Sequence, residues 1–310
     1  MRPRKKVSII GAGNVGASLA GYLAQKNICD IVLVDIMEGI PIGKGLDILQ
    51  AGPILNYSMD IKGSNDYKDI SGSDIVVVTA GLARKPGMSR EDLIIKNAEI
   101  ISQVTENIVK FAPQSMIVMV SNPLDIMTFH AFKKSGFPSN RVFGQAGVLD
   151  SIRFRTFVAL ELGVSPADVQ AMVLGGHGDS MVPLPRYTTV SGIPLGELLS
   201  SDKINQLAER TRNGGTEIVA YLKTGSAFYA PAAATLEMVE SVLLDIKRIL
   251  PVSAYVKGEY GLKDLYIGVP VQLGAGGIEK IVELKLLPDE KEALHNSAKI
   301  YKDMLKVLGY

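Results

Sequence analysis

The sequence predicts an α/β chain in which a doubly wound, mostly parallel sheet over residues 1–145 is followed by a separately packed α+β half over residues 146–310. Three observations lead there. Short apolar runs, Val7 to Ile10, Ile31 to Val34, Ile75 to Val78 and Met116 to Val120, alternate with longer helical patterns. Strands apolar throughout are buried on both faces, as in a parallel sheet covered by helices. The first run leads straight into a glycine-rich turn, Gly11-Ala12-Gly13-Asn14-Val15-Gly16. Past about residue 146 the order changes: a helix near Asp150, a strand-like run from Val169 to Leu174, helices near Asp202 to Leu222 and Pro231 to Arg248, strand pairs near Val252 and from Tyr266 to Leu273, and a charged helix opening at Pro288.

Length and composition fit this division. A chain of 310 residues suits two domains. Lys and Arg number 33 and Asp and Glu 32, so the net charge of +1 gives no global attraction to nucleic acid or an anionic membrane. Cys29 is the single cysteine, which rules out an intramolecular disulfide and a multi-cysteine metal cluster. No metal is expected, and a reducing, cytoplasmic setting is. Arg2, Arg4, Lys5 and Lys6 precede an uncharged stretch, Val7 to Gln25, that imitates a leader or membrane span. Four glycines with Ser8, Asn14 and Ser18 interrupt it, so it reads as strand, turn and helix.

In the first unit, Gly11, Gly13 and Gly16 allow a tight turn and close approach of a pyrophosphate to the start of a helix, with Asn14 and Val15 in the same turn. Asp35 ends the second strand, where a carboxylate accepts hydrogen bonds from ribose hydroxyls and repels a 2′-phosphate. Strand, turn, helix and acid in register indicate a Rossmann-type sheet that binds NAD rather than NADP; the bland alternative is a packing turn.

Next, Thr79 to Arg90 leaves a strand end through Gly81, Pro86 and Gly87, as a lid over a ligand crevice or as a solvated loop. Ser89 is placed to cap a helix with Asp92 three residues on, which sets Arg90 at the first helical position. A cation there opposes the helix dipole and is better explained by a ligand. Ser121-Asn122-Pro123 follows the fourth run and puts an amide at a strand end, or is an ordinary turn. Asp150 and Arg153 stand three apart on a helix and can share one pocket, or form a surface pair. His177 lies in Gly175-Gly176-His177-Gly178-Asp179-Ser180, with an unperturbed pKa of about 6.5 suited to proton transfer and glycines that let it approach a ligand. Beside a dinucleotide turn, it points to hydride-transfer chemistry. His130, in an apolar helical stretch, and His295, on a charged helix, read as structural.

Together these segments, in this order and across nearly the whole chain, resemble the lactate/malate dehydrogenase family. The resemblance implies that His177 gives and takes the proton and that Asp150, rather than its sequence neighbour Asp179, orients it. It implies that Arg153 holds the C1 carboxylate of the substrate, Arg90 polarises the carbonyl or alkoxide oxygen, and Asn122 bonds the substrate and aligns the nicotinamide. Asn97 and the backbone at Val120 and Ser121 are implied as cofactor contacts. The lid position held here by Arg84 is arginine in the malate branch and typically glutamine in the lactate branch, so the resemblance implies malate and oxaloacetate as substrates, with Arg84 on the second carboxylate. A homodimer or homotetramer is also implied. Ser226 and Ala227 fall where the family lines its pocket, in a stretch too variable to assign a contact. The rivals are a lactate or other 2-hydroxy acid dehydrogenase, against which Arg84 speaks; an NAD-dependent glycosidase, which looks for a cysteine near its metal and histidine; and a non-catalytic NAD-sensing module, which has no use for His177, Arg90, Arg153 and Asp150 together.

Overall fold

The computed structural model describes residues 4–82 and 88–310. Each apolar run is a strand: β1 (Lys6–Ile10), β2 (Asp30–Val34), β3 (Ile61–Ser64), β4 (Ile75–Val78), β5 (Met116–Met119) and β6 (Val142–Gln145). Between them lie the helices α1 (Asn14–Lys26), α2 (Ile40–Leu55), α3 (Arg90–Phe111) and α4 (Leu124–Ser135). The six strands are parallel and run in the order β3-β2-β1-β4-β5-β6. Chain direction across the sheet reverses between β1 and β4, and the crevice beyond the carboxyl ends of these two strands is where such folds take ligands.

Glycine makes that crevice. Gly11 has φ +109°, and a β-carbon there would lie 2.5 Å from Thr79 Oγ1 at the end of β4. One on Gly16 would lie 1.9 Å from the Gly11 carbonyl oxygen, so only glycine lets α1 press against the turn that precedes it. Gly13 faces open space, which leaves the start of α1 accessible.

The second half begins with α5 (Gly147–Leu162) and continues through five two-residue strands, β7 (Val169–Gln170), β8 (Val173–Leu174), β9 (Val182–Pro183), β10 (Thr189–Val190) and β11 (Ile193–Pro194). Helices α6 (Leu195–Leu198), α7 (Ser201–Arg212), α8 (Gly214–Leu222) and α9 (Tyr229–Leu243) follow, then β12 (Arg248–Lys257), β13 (Lys263–Gly274), β14 (Gly277–Ile281) and α10 (Pro288–Leu305). The strand-like run from Val169 to Leu174 is therefore two short strands. The long helical pattern from Asp202 to Leu222 breaks at Asn213.

Separate packing of this half is corrected by the structure. β12 pairs antiparallel with β6, Val252 opposite Gln145 and Ser253 opposite Gly144, so β12, β13 and β14 extend the first sheet to nine strands. All four residues of β6 are buried, and an apolar strand with a free ladder of backbone groups gains most by pairing. The core is continuous as well: Val7, Ile9 and Leu33 belong to one buried cluster with Val252, Ile267 and Leu273.

Candidate active site

Four segments converge on His177. Its loop is tied to β13 by paired backbone hydrogen bonds between Gly175 and Gly268, of 2.9 and 3.1 Å. A β-carbon on Gly268 would fall 2.4 Å from the Gly175 oxygen, so the loop lies directly on the strand. The histidine Nδ1 is 3.0 Å from Asp150 Oδ2 on α5. Asp150 Oδ1 in turn accepts from Arg153 NH1 at 3.3 Å, one helical turn on. Burial draws the imidazole pKa down, but the charge and hydrogen bond of Asp150 outweigh it, and the result is raised above the usual histidine value. With Nδ1 donating to the carboxylate, Nε2 is the nitrogen left to exchange a proton. Asp150, not Asp179, is therefore the carboxylate on the ring.

An open cleft of about 600 Å³ brings His177 and Arg153 together with Asn122, Val120 and Val15. Arg153 runs beside Gly214 and Gly215 at the start of α8, where a β-carbon on Gly214 would lie 3.2 Å from its Cδ. Its buried Nε meets no acceptor among the described residues. Ser226 and Ala227 line the same cleft, as do Arg212 and Thr216, which sequence reasoning missed because no local motif marks them. On the other side of His177, a cavity of about 300 Å³ is lined by Arg90, Asn122 and Tyr301. Arg90 is the exposed first residue of α3, below a complete capping box in which Ser89 Oγ accepts from the Asp92 amide and Asp92 accepts from the Ser89 amide. Arg84 lies outside the described residues.

A third cavity, of about 340 Å³, lies over Gly11 and Gly13 and is walled by Asp35, Tyr67, Leu82 and Ile100. Asp35 accepts from the Ala12 amide at 2.6 Å and the Met37 amide at 2.9 Å, which fixes its carboxylate against the glycine turn. An open helix start, a carboxylate at the end of β2 and cavities on either side of the glycine turn, one reaching Gly11 and Gly13 and the other Val15, fit an extended dinucleotide with its charged middle at α1. When Asp35 is replaced by serine, the preference for NADH over NADPH is expected to weaken, because the group that repels a 2′-phosphate is gone. The ratio of kcat/KM for the two cofactors checks this; an unchanged ratio contradicts the assignment.

Asn97, on α3, links two loops of the site. Its side chain is buried, its Nδ2 donates to the carbonyls of Leu82 and Asn122, and its Oδ1 accepts from the Leu82 amide. Asn97 thus braces the loop at Leu82 against the loop that carries Asn122, and its Oδ1 keeps a second lone pair. Ser121 is buried, with its hydroxyl on the Val78 and Ala80 carbonyls. His130 bonds Ser102 and Tyr310, and His295 bonds the Tyr260 carbonyl, both as structural links.

The sequence reading passed over Asp125. This carboxylate is wholly buried in the first turn of α4, where Oδ2 accepts from the His177 amide at 2.9 Å and Oδ1 from the Ser253 hydroxyl at 2.6 Å. Burial pushes its pKa up to about 6, against the opposing pull of those two hydrogen bonds. Tyr301 of α10 donates to the His177 carbonyl at 2.8 Å, and Ser297 accepts from the Gly176 amide at 2.9 Å. The only local signal was an acid inside an apolar helical run.

Residues 5–144 match the family model described as lactate/malate dehydrogenase, NAD binding domain, and residues 147–308 match its alpha/beta C-terminal domain. The chain is 58% identical over 305 residues to a malate dehydrogenase of Thermomicrobium roseum, with 98% of each chain covered. It is 56% identical over 303 residues to one of Methanosarcina barkeri, covering 98% of this chain and 99% of that protein. Among solved structures, malate dehydrogenase from Salinibacter ruber superposes with a TM-score of 0.94 at 51% identity, covering 98% of this chain and 97% of that one. A lactate dehydrogenase of Cryptosporidium parvum, complexed with lactic acid and nicotinamide adenine dinucleotide, gives 0.96 at 42% identity, covering 100% and 99%.

Proposed function

This chain belongs to the lactate/malate dehydrogenase family, and on that premise we propose that His177, Asp150, Arg153, Arg90, Asn122 and Arg84 carry its reaction. The activity is NAD-dependent malate dehydrogenation, the reversible transfer of a hydride between (S)-malate and oxaloacetate. The observation that carries the residue assignment is the aligned set Arg153–Asp150–His177, with His177 Nε2 turned free by the bond from Nδ1 to Asp150.

NAD, when bound, supplies the hydride acceptor or donor. In reduction, negative charge builds on the oxygen of the keto carbon, and the imidazolium of His177 protonates it from Nε2 while Arg90 stabilises it. In oxidation, neutral His177 takes the hydroxyl proton at the same nitrogen. Asp150 holds the ring and balances its charge throughout. Arg153 grips the C1 carboxylate with a planar fork that lysine cannot reproduce, and Asn122 donates to the substrate oxygen from the rim of the cleft. Gly11, Gly13, Asn14, Val15, Gly16, Asp35, Asn97, Asn122 and the backbone at Val120 and Ser121 hold the cofactor.

Arg84 is assigned to the second carboxylate, which separates oxaloacetate from pyruvate. The wild type is expected to prefer oxaloacetate in kcat/KM with NADH. Arg84→Gln is expected to lose at least roughly tenfold on oxaloacetate and to shift toward pyruvate, since an unpaired, desolvated carboxylate costs about 2–5 kcal/mol. A wild type that prefers pyruvate overturns the substrate assignment, and an unchanged ratio in Arg84→Gln overturns the role of Arg84.

A homodimer or homotetramer in the cytoplasm completes the proposal. Ile42, Leu46 and Leu49, at helical spacing on α2, are exposed apolar residues on one helix face, which suits contact with a second copy. Light scattering that returns the 33.3 kDa of one chain overturns the assembly. Cys29 is buried as a free thiol, which suits a reducing compartment, and fractionation with a non-cytosolic marker argues against it. Among the described residues, no helix is long and apolar enough to cross a membrane.

A further inference from the structure

We propose that Asp125 is a positioning residue for His177, whose buried carboxylate fixes the backbone of the histidine and places a second negative charge beside its imidazole. The catalytic consequence rests on the proton-transfer role given to His177; the test does not.

Residue 177 is held by both of its backbone groups. Its N–H donates to Asp125 and its carbonyl accepts from Tyr301, so α4 and α10 hold the two peptide groups that flank its side chain. Ser253 of β12 donates to the other Asp125 oxygen, which joins the proton-exchanging loop to a strand of the second half. A neutral amide or hydroxyl could satisfy one N–H as well. A carboxylate in a site without solvent is the more demanding choice, since its ionised form is disfavoured by burial, as its pKa near 6 records. That charge acts on the imidazole, where it favours the protonated ring.

The groups facing this pair come from every neighbouring element. Asp150 and Arg153 stand on α5, Arg90 opens α3, and Tyr301 on α10 is held neutral by burial. β12 contributes the uncharged Ser253. Asp150 shares its charge with Arg153, so on its own it balances the imidazolium only in part.

Asp125→Asn keeps the shape: the amide oxygen accepts from His177 and the NH2 donates to Ser253, whose hydroxyl turns from donor to acceptor. The chain has three histidines, so NMR of protein labelled at the imidazole carbons can follow each titration separately. In Asp125→Asn the midpoint of His177 is expected to fall by at least about 0.5 pH unit, with those of His130 and His295 unmoved. The alkaline limb of oxaloacetate reduction should fall with it, at unchanged Kd for NADH. An unmoved His177 midpoint overturns the proposal and leaves Asp125 as a brace of the fold. If Asp125→Asn does not fold, Ser253→Ala decides. It removes the bond that favours ionised Asp125 but leaves the carboxylate and its contact with His177, and a smaller fall in the same direction is expected; an unmoved midpoint again overturns the idea. A fall in the midpoint with turnover unaltered at every pH supports the charge of Asp125 and instead sinks proton transfer by His177.

Discussion

Asparagine at position 177 is expected to lower kcat for oxaloacetate reduction by about 10²–10⁴-fold, the usual contribution of a placed general acid, while the Kd for NADH stays unchanged. The side chain that exchanges a proton is lost, whereas the hold on the backbone of residue 177 by Asp125 and Tyr301 is kept. The pH profile should change in kind. In the wild type the imidazole pKa is raised, so reduction, which uses the imidazolium, is full below that value and declines as pH rises through it. Malate oxidation, which uses the neutral ring, runs the other way. Both limbs should vanish in His177→Asn. A variant that keeps either limb, or most of its turnover, assigns the proton to another group.

The second large effect is expected at Arg153. Removing one partner of a buried, hydrogen-bonded carboxylate costs about 2–5 kcal/mol, so Arg153→Leu should lose roughly thirtyfold to several thousandfold in kcat/KM. Arg153→Lys should regain only part, since a point charge cannot supply two parallel donors. The loss should be alike for oxaloacetate and pyruvate, because both carry the C1 carboxylate. Steady-state kinetics on the two substrates check this. A loss confined to oxaloacetate places Arg153 on the other carboxylate.

The parts of the site legible in the sequence are those whose parts lie close together along the chain. The glycine turn with Asp35 is one strand-turn-helix-strand unit, Asp150 and Arg153 share a helix face by spacing alone, and Ser89 with Asp92 forms the capping box that its order predicts. The contacts that escaped join distant segments. Asp125 meets residues 52 and 128 positions away, in His177 and Ser253, and nothing in the run from Leu124 to Ala131 distinguishes an acid that is buried on purpose from one at a helix surface. The pairing of β6 with β12 escaped for the same reason: the antiparallel partner follows an entire helical section, and apolar patterning shows that a strand is buried without showing what covers it. The links that Asn97 makes between the loops at Leu82 and Asn122 escaped as well, since spacing shows an amide near a strand end without showing which backbone it meets.

The uninterrupted sheet also sets an order of events as the chain emerges from the ribosome. A nascent chain that ends after β6 has all six parallel strands, yet the outer side of Val142–Gln145 still presents unpaired backbone amides and carbonyls. That edge is open to any neighbouring strand until Arg248–Lys257 is synthesised and seals it. The nucleotide-binding half expressed alone keeps this border exposed and is expected to aggregate more readily than the full chain, which light scattering of the two side by side checks.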